Sequence, residues 1–258
     1  MNRMELEDYF RSMSLTDLQI DIQPGSNMVM IIQLPCNRKV IFKPLQGEKF
    51  QYKEIEPGTY YKRERAAYLV SKYIHSNLVS VTIIKDVEGK LGAFQEFILR
   101  TETYDELNDD AKKLFSSDLA TLAVFDMLIW QMDRTNDNFL FTDANVFAID
   151  NGLSFAPGLQ CPFLGRNKTD SLIGEKVQKT FMSGLTLLTT DNDKMEELKA
   201  ELMELLSEDE VNACIERLKH MTSVLNSNNG KIKKSWLKHF YYNPAEKVPD
   251  EQVSFYKV

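Results

Sequence analysis

The chain has 258 residues, 43% of them hydrophobic and 27% charged, which is an ordinary composition for a soluble globular protein. Its net charge of −7 lacks the basic excess of nucleic-acid binders, so no nucleic-acid partner is expected. The three cysteines, Cys36, Cys161 and Cys214, are odd in number and widely spaced, which argues against a disulfide framework or a metal cluster. They indicate reduced thiols in a cytoplasmic protein, and secretion through a machine that reads no cleavable signal stays open.

The first hundred residues are predicted to alternate between strands and one main helix. Residues 1–20 suggest a short amphipathic helix, followed by a turn over residues 24–27. Strands are expected at residues 28–34, 39–44, 79–85 and 91–99. Apolar residues at helical spacing predict a helix over residues 59–76, between the second and third strands.

The rest of the chain is predicted to be mainly helical. A long apolar helix is expected over residues 109–132, a hairpin over 139–149, an irregular stretch over 154–176, and two amphipathic helices over 194–206 and 208–225. Ser207 and Glu210 have the spacing of a capping box at the start of the last helix. The longest apolar stretch, Leu119 to Trp130, is too short for a membrane span of about 20 residues. The best division is into residues 1–100 and residues 101–258.

Residues 133–152 carry the most specific pattern in the chain. Asp133 and Asn138 are five positions apart, and an apolar stretch then leads to Asp150, which is followed by Asn151 and Gly152. Phosphoryl transfer by kinases uses this ordered set: an Asp that orients the attacking hydroxyl, an Asn that binds Mg²⁺, and a second Asp for the metals. A polar turn before a strand is the alternative interpretation. The third acid after the strand favours a metal–phosphate site.

Lys43 and Glu64 fit the same chemistry. Lys43 ends an apolar strand, where its charge can reach phosphates, and Glu64 lies on the helix that follows. In kinases a strand lysine pairs with a helix glutamate, and the pair must form for activity. Taken singly, Lys43 could be an exposed residue at a strand end and Glu64 a solvated helix charge. Their order before the Asp133–Asp150 pattern favours the paired interpretation.

Two further segments are candidates for contact with ATP. Gly25 and Ser26 lie in a turn whose backbone N–H groups and small hydroxyl can cover phosphates, although such turns are common. Gln95, Glu96 and Ile98 end the fourth strand just before the predicted boundary, where an adenine would meet backbone groups. Simple strand alternation is the alternative for Gln95 and Glu96. Neither a G-x-G-x-x-G loop nor a Walker A loop is present.

Together these motifs resemble the phosphatidylinositol 3-/4-kinase-related superfamily, and especially its small bacterial members and the type II phosphatidylinositol 4-kinases. The matching segments are Phe42-Lys43-Pro44, the Arg63–Tyr68 segment with the pattern Arg-Glu-x-Ala-Ala-Tyr, the Asp133–Asn138 segment with Asp-Arg-x-x-x-Asn, and Ile149-Asp150-Asn151-Gly152. The matches lie within residues 25–152, about half of the chain. The helices after them fit the family only in outline.

The resemblance implies an α+β, bilobal protein-kinase-like fold, with a small antiparallel β-rich N-lobe that carries one key helix and a mainly helical C-lobe. It implies ATP in the cleft, with Mg²⁺ or alternatively Mn²⁺. Lys43 would contact phosphates and Glu64 would orient it; Asp133 would be the catalytic Asp. Asn138 and Asp150 would be the metal ligands.

The acceptor is expected to be a protein serine or threonine, as for a bacterial effector or toxin that modifies a host or cellular protein. A phosphoinositide is the second choice. The segment after Gly152 offers only Arg166 and Lys168 as early cations, whereas anionic lipid surfaces attract clusters of Lys and Arg. A binding module without transfer is a further alternative, which the complete set of Lys43, Glu64, Asp133, Asn138 and Asp150 argues against. Nucleotidyl transfer stays open as well.

Overall fold

A five-stranded antiparallel sheet forms the N-terminal part of the protein in the computed structural model, which describes residues 1–15, 19–23, 27–34, 37–49, 55–156 and 172–233. The strands are β1 (Gln19–Gln23), β2 (Val29–Gln33), β3 (Lys39–Pro44), β4 (Thr82–Val87) and β5 (Lys90–Glu96). Their spatial order is β1-β2-β3-β5-β4. Helix α2 (Tyr60–Tyr73) lies between β3 and β4 in the chain, as the sequence predicts.

The central strand β3 alternates between buried and half-buried positions, which is the pattern of a strand with one face in the core. Phe42 lies opposite Phe94 of β5 in the register, and both rings are fully buried. Since successive strand side chains point to opposite faces, Lys43 lies on the other face from Phe42. The strand that builds the core therefore also delivers Lys43 to the side where α2 and the following segments meet.

Helix α1 (Arg3–Ser12) packs against strand β4 and contacts α2 through Glu7. It begins with a complete capping box between Asn2 and Glu5, and it buries Leu6 and Phe10. Its one buried acid, Glu7, accepts hydrogen bonds from Arg65 at 2.7 Å and from the hydroxyl of Tyr68 at 2.9 Å. These donors outweigh the effect of burial and lower the pKa of Glu7 to about 2.

The N-terminal segment differs from the prediction of a single helix over residues 1–20. The helix ends at Ser12, and Gln19–Gln23 pair with β2 as an edge strand. Ile20 and Ile22 supply the alternation of a strand, but Ile22 is 61% exposed, as an edge position allows. Because β1 buries so little apolar surface, its sequence carries only a weak strand signal.

The C-terminal part combines a small sheet with helices. The sheet has the order β6-β7-β8, with strands β6 (Glu102–Thr103), β7 (Phe139–Phe141) and β8 (Val146–Ala148). The helices are α3 (Asp109–Leu114), α4 (Ser116–Ile129), α5 (Lys179–Thr190), α6 (Asn192–Met203) and α7 (Glu208–Ser227). The fold is therefore α+β, with a β-rich N-terminal part and a mainly helical C-terminal part, as expected.

Two features of this part depart from the sequence prediction. The helix expected over residues 109–132 is divided at Phe115 into α3 and α4. The ring of Phe115 packs against that of Phe141, with ring centroids 5.0 Å apart. Helix α5 was not predicted, because its threonines and Gly184 have low helix propensity. At Gly184 any side chain would overlap the carbonyl oxygen of Ile74, so the glycine allows α5 to approach the end of α2.

No helix among the described residues is long and apolar enough to cross a bilayer. Of the three cysteines, only Cys214 lies in the described part of the chain, where it is a buried free thiol. Burial raises its pKa to about 11, so the reactive thiolate is disfavoured. Cys36 and Cys161 lie outside the described residues.

Candidate active site

Lys43 joins two carboxylates that come from distant parts of the chain. Its Nζ atom donates to Glu64 Oε1 of helix α2 and, at 3.0 Å, to Asp150 Oδ1. Asp150 follows strand β8 and has a left-handed backbone conformation, with φ 56°. The sequence therefore predicted the Lys43–Glu64 contact correctly, and the structure adds the second contact, to Asp150.

The charges of this cluster stabilise one another. Burial alone would lower the pKa of Lys43, but the nearby Asp150 and Glu64 carboxylates outweigh it and raise that pKa. The Lys43 ammonium in turn lowers the pKa of Asp150. Lys43 and Asp150 are therefore charged near neutral pH, so a carboxylate at Asp150 is available to a metal ion and an ammonium at Lys43 is available to phosphate.

Glu64 also has an unused oxygen in the cleft. The residue is 1% exposed, and its Oε2 atom is buried without a hydrogen-bond partner in the described part of the protein. An unsatisfied buried carboxylate oxygen costs free energy, so such atoms are rare outside functional sites. The position of Glu64 on the wall of a cavity is consistent with a polar ligand binding beside it.

Asp133 and Asn138 lie in the loop between α4 and β7. The side-chain amide of Asn138 donates to the carbonyl oxygen of Asp133 at 2.7 Å, so its own oxygen is the atom left for a metal. The carbonyl oxygen of Asn138 accepts from the amide of Ile149 at 3.0 Å, one residue before Asp150. Burial, together with the charge of Asp150, raises the pKa of Asp133. A raised pKa makes a carboxylate a better proton acceptor.

The buried side chain of Arg134 holds this loop in place. Its guanidinium pairs with Asp126 at 2.9 Å, and both side chains are fully buried. It also donates to the carbonyl oxygens of Asn138 and Ile149, and to the Asn151 side chain at 2.7 Å. Arg134 therefore both anchors the loop and pairs with a buried carboxylate. One side chain thus fixes the residues beside each proposed metal ligand.

Replacing Asp126 with alanine should lower the free energy of unfolding by about 3–5 kcal/mol, because it leaves the Arg134 charge buried without its counter-ion. Denaturant titration measures this directly. Asp110→Ala is the matched control: the Lys113–Asp110 pair is almost fully exposed, and exposed pairs contribute at most about 1 kcal/mol. Equal losses in the two variants would contradict the anchoring role of Arg134.

Gln131 and Glu48 were not predicted from the sequence. Gln131 is fully buried; its amide donates to the Asp150 carbonyl at 3.0 Å, and its oxygen accepts from the Asp133 amide at 3.1 Å. Glu48 accepts from the first backbone amides of α2, those of Tyr60 and Tyr61, at 3.1 and 2.7 Å. The position of Gln131 next to the motif was an available signal. Glu48 lies outside α2, and no local spacing indicated it.

A cavity of about 220 Å³ is lined by Glu48 and by some of the residues predicted for the site. Of the residues predicted for the site, those that line it are Lys43, Glu64, Asp133 and Asp150. Gln95, Glu96 and Ile98 are not among its lining residues. Instead the Gln95 side chain is buried, and its amide donates to Thr82 at 2.8 Å. Gly25 and Ser26 lie outside the described residues.

The residues present fit a divalent cation that is bound together with phosphates. Among the described residues no cluster of three or more His, Cys, Asp and Glu forms a complete metal cage. Mg²⁺ rarely uses such a cage, because it keeps several waters and binds through one or two carboxylates plus substrate phosphates. The oxygens of Asp150 and Asn138 are ligands of this kind.

Comparison with known proteins gives the same class. Two crystal structures of the Golgi casein kinase, one with Mn/ADP bound, have TM-scores of 0.55 and 0.53 and sequence identities of 13%. The two alignments cover 88% and 86% of this chain, and 75% and 74% of the Golgi casein kinase chains. Protein Rv2133c of Mycobacterium tuberculosis is 28% identical over 147 residues, which cover 44% of this chain and 52% of that protein. The chain thus spans about half the length of this relative.

The likeness to the Golgi casein kinase structures places the chain in the protein-kinase-like fold class. The family described as phosphatidylinositol 3- and 4-kinase matches residues 19–228, most of the chain. The protein belongs to this family and is a kinase.

Lys43→Met and Glu64→Ala should each lower turnover by about 10²–10³-fold, because each removes one half of the charged pair on the cleft wall. The double variant should be at most a few-fold worse than either single variant, since residues that act as a unit are non-additive. Steady-state kinetics of all three variants test this. Lys62→Met, which removes a charge from the same helix at a half-buried position, should behave like the wild type. Multiplying losses would mean that the two residues act separately.

Proposed function

We propose that the protein transfers the γ-phosphate of Mg²⁺-bound ATP to serine and threonine hydroxyls of proteins. The observation that carries this proposal is that one cavity is lined by Asp133 together with Lys43 and its two carboxylate partners, Glu64 and Asp150. Kinases need a phosphate-binding cation, metal-binding oxygens and a carboxylate that receives the acceptor hydroxyl, and this set supplies all three.

In this proposal Lys43 binds the phosphates and Glu64 orients it, while Asn138 and Asp150 hold the metal ion. Mn²⁺ is an alternative metal, which the Mn/ADP complex of the Golgi casein kinase supports. Backbone groups at Gln95, Glu96 and Ile98 receive the adenine, where an N-lobe of residues 1–100 meets a C-lobe of residues 101–258. We also assign Gly25 and Ser26, which the sequence predicts to lie in a turn, to the phosphates.

The transfer is an in-line displacement. The acceptor oxygen bonds to the γ-phosphorus while the bond from that phosphorus to the β,γ-bridging oxygen breaks, and ADP leaves. The hydroxyl proton passes to the Asp133 carboxylate and from there to solvent. The metal, when bound, neutralises charge on the phosphate oxygens. Because burial and Asp150 raise the pKa of Asp133, this carboxylate is better suited to accept a proton than an ordinary surface aspartate.

The charge around the catalytic loop favours a protein acceptor. Asp105 accepts a hydrogen bond from Asn136 of this loop at 2.8 Å, and its neighbour Glu106 and the loop residue Asp137 are exposed. Carboxylates at the approach to Asp133 would repel an anionic phosphoinositide head group and would tolerate a neutral or cationic peptide. The Mycobacterium tuberculosis relative supports a bacterial origin, and a bacterial effector or toxin acting on a host or cellular protein would be one such case.

A phosphoinositide kinase is the second candidate. The description of the family to which the chain belongs favours it, because it names phosphatidylinositol as the acceptor. Fold and family do not fix the acceptor, since one fold hosts different substrates.

Labelled ATP distinguishes these candidates. The protein is incubated with γ-labelled or α-labelled Mg²⁺–ATP, and with either a protein panel (casein, histone and myelin basic protein) or phosphatidylinositol vesicles. Label from the γ-position on phosphoserine or phosphothreonine supports the proposal. Label on lipid alone supports the second candidate, and transfer from the α-position alone would mean nucleotidyl transfer and overturn both.

A further inference from the structure

Three consecutive charged residues of helix α2 point to three different parts of the protein. Successive helix residues are about 100° apart, so they cannot share one face. Glu64 meets Lys43 in the cleft, and Arg65 meets Glu7 of α1. Arg63 points toward the C-terminal part and pairs with Glu210 of α7. The helix that carries Glu64 is thus held on both sides of the site.

Arg63 makes contacts that a general packing role does not require. It is 2% exposed, and one guanidinium nitrogen donates to Glu210 Oε1. Another donates to the carbonyl oxygen of Ser154, directly after the short turn Asn151–Leu153 that begins at Asp150. A planar guanidinium fixes two acceptors in one rigid geometry. Arg63 therefore joins the helix that carries Glu64 to the segment that carries Asp150.

Glu210 is also used twice. Its Oε2 atom accepts from the amide and the hydroxyl of Ser207, both at 2.9 Å, which completes the capping box of α7. The cap accounts for Oε2 and leaves Oε1 for Arg63. Glu210 therefore caps α7 with one oxygen and, independently, contacts Arg63 with the other, and this second contact leads to the segments that carry the two carboxylates bridged by Lys43.

We propose that Arg63 and Glu210 are positioning residues for phosphoryl transfer, and that they keep Glu64 and Asp150 at the separation that the single Lys43 ammonium bridges. The inference rests on the proposed roles of those three cleft residues. Displacement of a reacting group by about 1 Å can cost 10²-fold in rate, so a small shift of α2 against the Asp150 segment would be felt in turnover.

A structural role is the alternative, because a buried ion pair can serve stability alone. Two variants separate these roles. In Glu210→Gln the capping box survives, since glutamine also serves at this position, but Arg63 loses its charged partner. In Ser207→Ala the cap is lost and the Arg63–Glu210 pair remains. The second variant should lower Tm by about 2–4 °C through loss of the cap.

The assay is release of inorganic phosphate from Mg²⁺–ATP at a temperature where both variants are fully folded by circular dichroism. Glu210→Gln should lower kcat by about 10–100-fold, the usual effect of losing a partner that orients a site residue. The dissociation constant of Mg²⁺–ATP should change only a few-fold. Ser207→Ala should keep kcat within about two-fold of the wild type. Equal kcat in the wild type and Glu210→Gln, or equal losses in both variants, would overturn the proposal.

Backbone amide exchange needs no turnover. It therefore tests whether Glu210 holds α2 and the Asp150 segment in place even if the wild type hydrolyses no ATP or labels no protein. Glu210→Gln should speed exchange in residues 60–66 and 151–154, whereas Ser207→Ala should speed it in the first turn of α7. Faster exchange confined to α7 in both variants contradicts positioning. If Glu210→Gln fails to fold, Arg63→Lys replaces it. Lysine keeps the charge but lacks the fork that holds two acceptors, so the same fall in kcat and the same exchange pattern are expected, and wild-type behaviour would overturn the proposal.

Discussion

Asp150→Asn should lower phosphoryl transfer by about 10³-fold or more, because it removes the only carboxylate among the two proposed metal ligands and one of the two partners of Lys43. Asparagine has nearly the same shape and tolerates the left-handed backbone at φ 56°. The Asp150 side chain is 51% exposed, so its replacement should leave the free energy of unfolding almost unchanged. Single-turnover transfer from γ-labelled ATP, measured over a range of Mg²⁺ concentrations, tests the expectation.

Two comparisons make this experiment specific. Asp150→Ala removes the same carboxylate but puts alanine at a positive φ, which should cost about 1–2 kcal/mol of stability in addition to the activity. Asp143→Asn makes the same chemical change at an exposed position in the β7–β8 hairpin and should turn over like the wild type. Near-normal transfer by Asp150→Asn would remove Asp150 from the metal site.

The second large effect is expected at Asp133. Asp133→Ala should lower kcat by about 10²–10⁴-fold, the usual contribution of a positioned general base. The dissociation constant of Mg²⁺–ATP should change much less, because the proposed role of Asp133 involves the acceptor hydroxyl and no phosphate. Asn138→Ala should weaken Mg²⁺-dependent nucleotide binding as well as turnover. Calorimetric titration of Mg²⁺–ATP into both variants, beside single-turnover assays, separates the two roles.

The result that would reverse these assignments is equal loss of ATP affinity in the two variants, since Asp133 would then be acting as a metal ligand. The pH dependence offers a further check. Asp133 must be ionised to accept a proton, and burial and the Asp150 charge raise its pKa. The acidic limb of kcat in the wild type should therefore lie at a higher pH than the pKa of an ordinary aspartate, about 3.9.

Much of the fold could be predicted because its signals are local. Alternation over residues 39–44 and helical spacing over 59–76 identified β3 and α2, and these two elements bring Lys43 to Glu64. The spacing of Ser207 and Glu210 correctly predicted a cap. The contact between Lys43 and Glu64 is confirmed, whereas the roles of both residues in turnover stay predictions.

The remaining features depend on contacts between distant segments, which spacing does not encode. The break at Phe115 lies where its ring packs against that of Phe141, and α5 can approach Ile74 closely because Gly184 has no side chain. The side chain of Gln95 donates to Thr82 of strand β4, and this contact between two strands is not indicated by alternation within one strand. In the site, the connection from Glu210 to Arg63 joins residues 147 positions apart, and no local pattern could have indicated it.

Helix α1 shows that the folding unit extends beyond the segment that the family match defines. The match begins at residue 19, whereas the carboxylate nearest to Arg65 is that of Glu7, at 2.7 Å, and both side chains are only 6% exposed. Lys85 is likewise tied to this helix, because it donates to the carbonyl oxygens of Phe10 and Met13 at 2.7 and 3.0 Å. A protein shortened to the matched range would keep every cleft residue, and yet the buried Arg65, one residue away from Glu64, would lose its nearest carboxylate and keep Glu201 at 3.7 Å and the carbonyl oxygen of Thr82. Domain limits for expression or for transplanting the catalytic unit should therefore be set by the partners of α2, with the first helix retained.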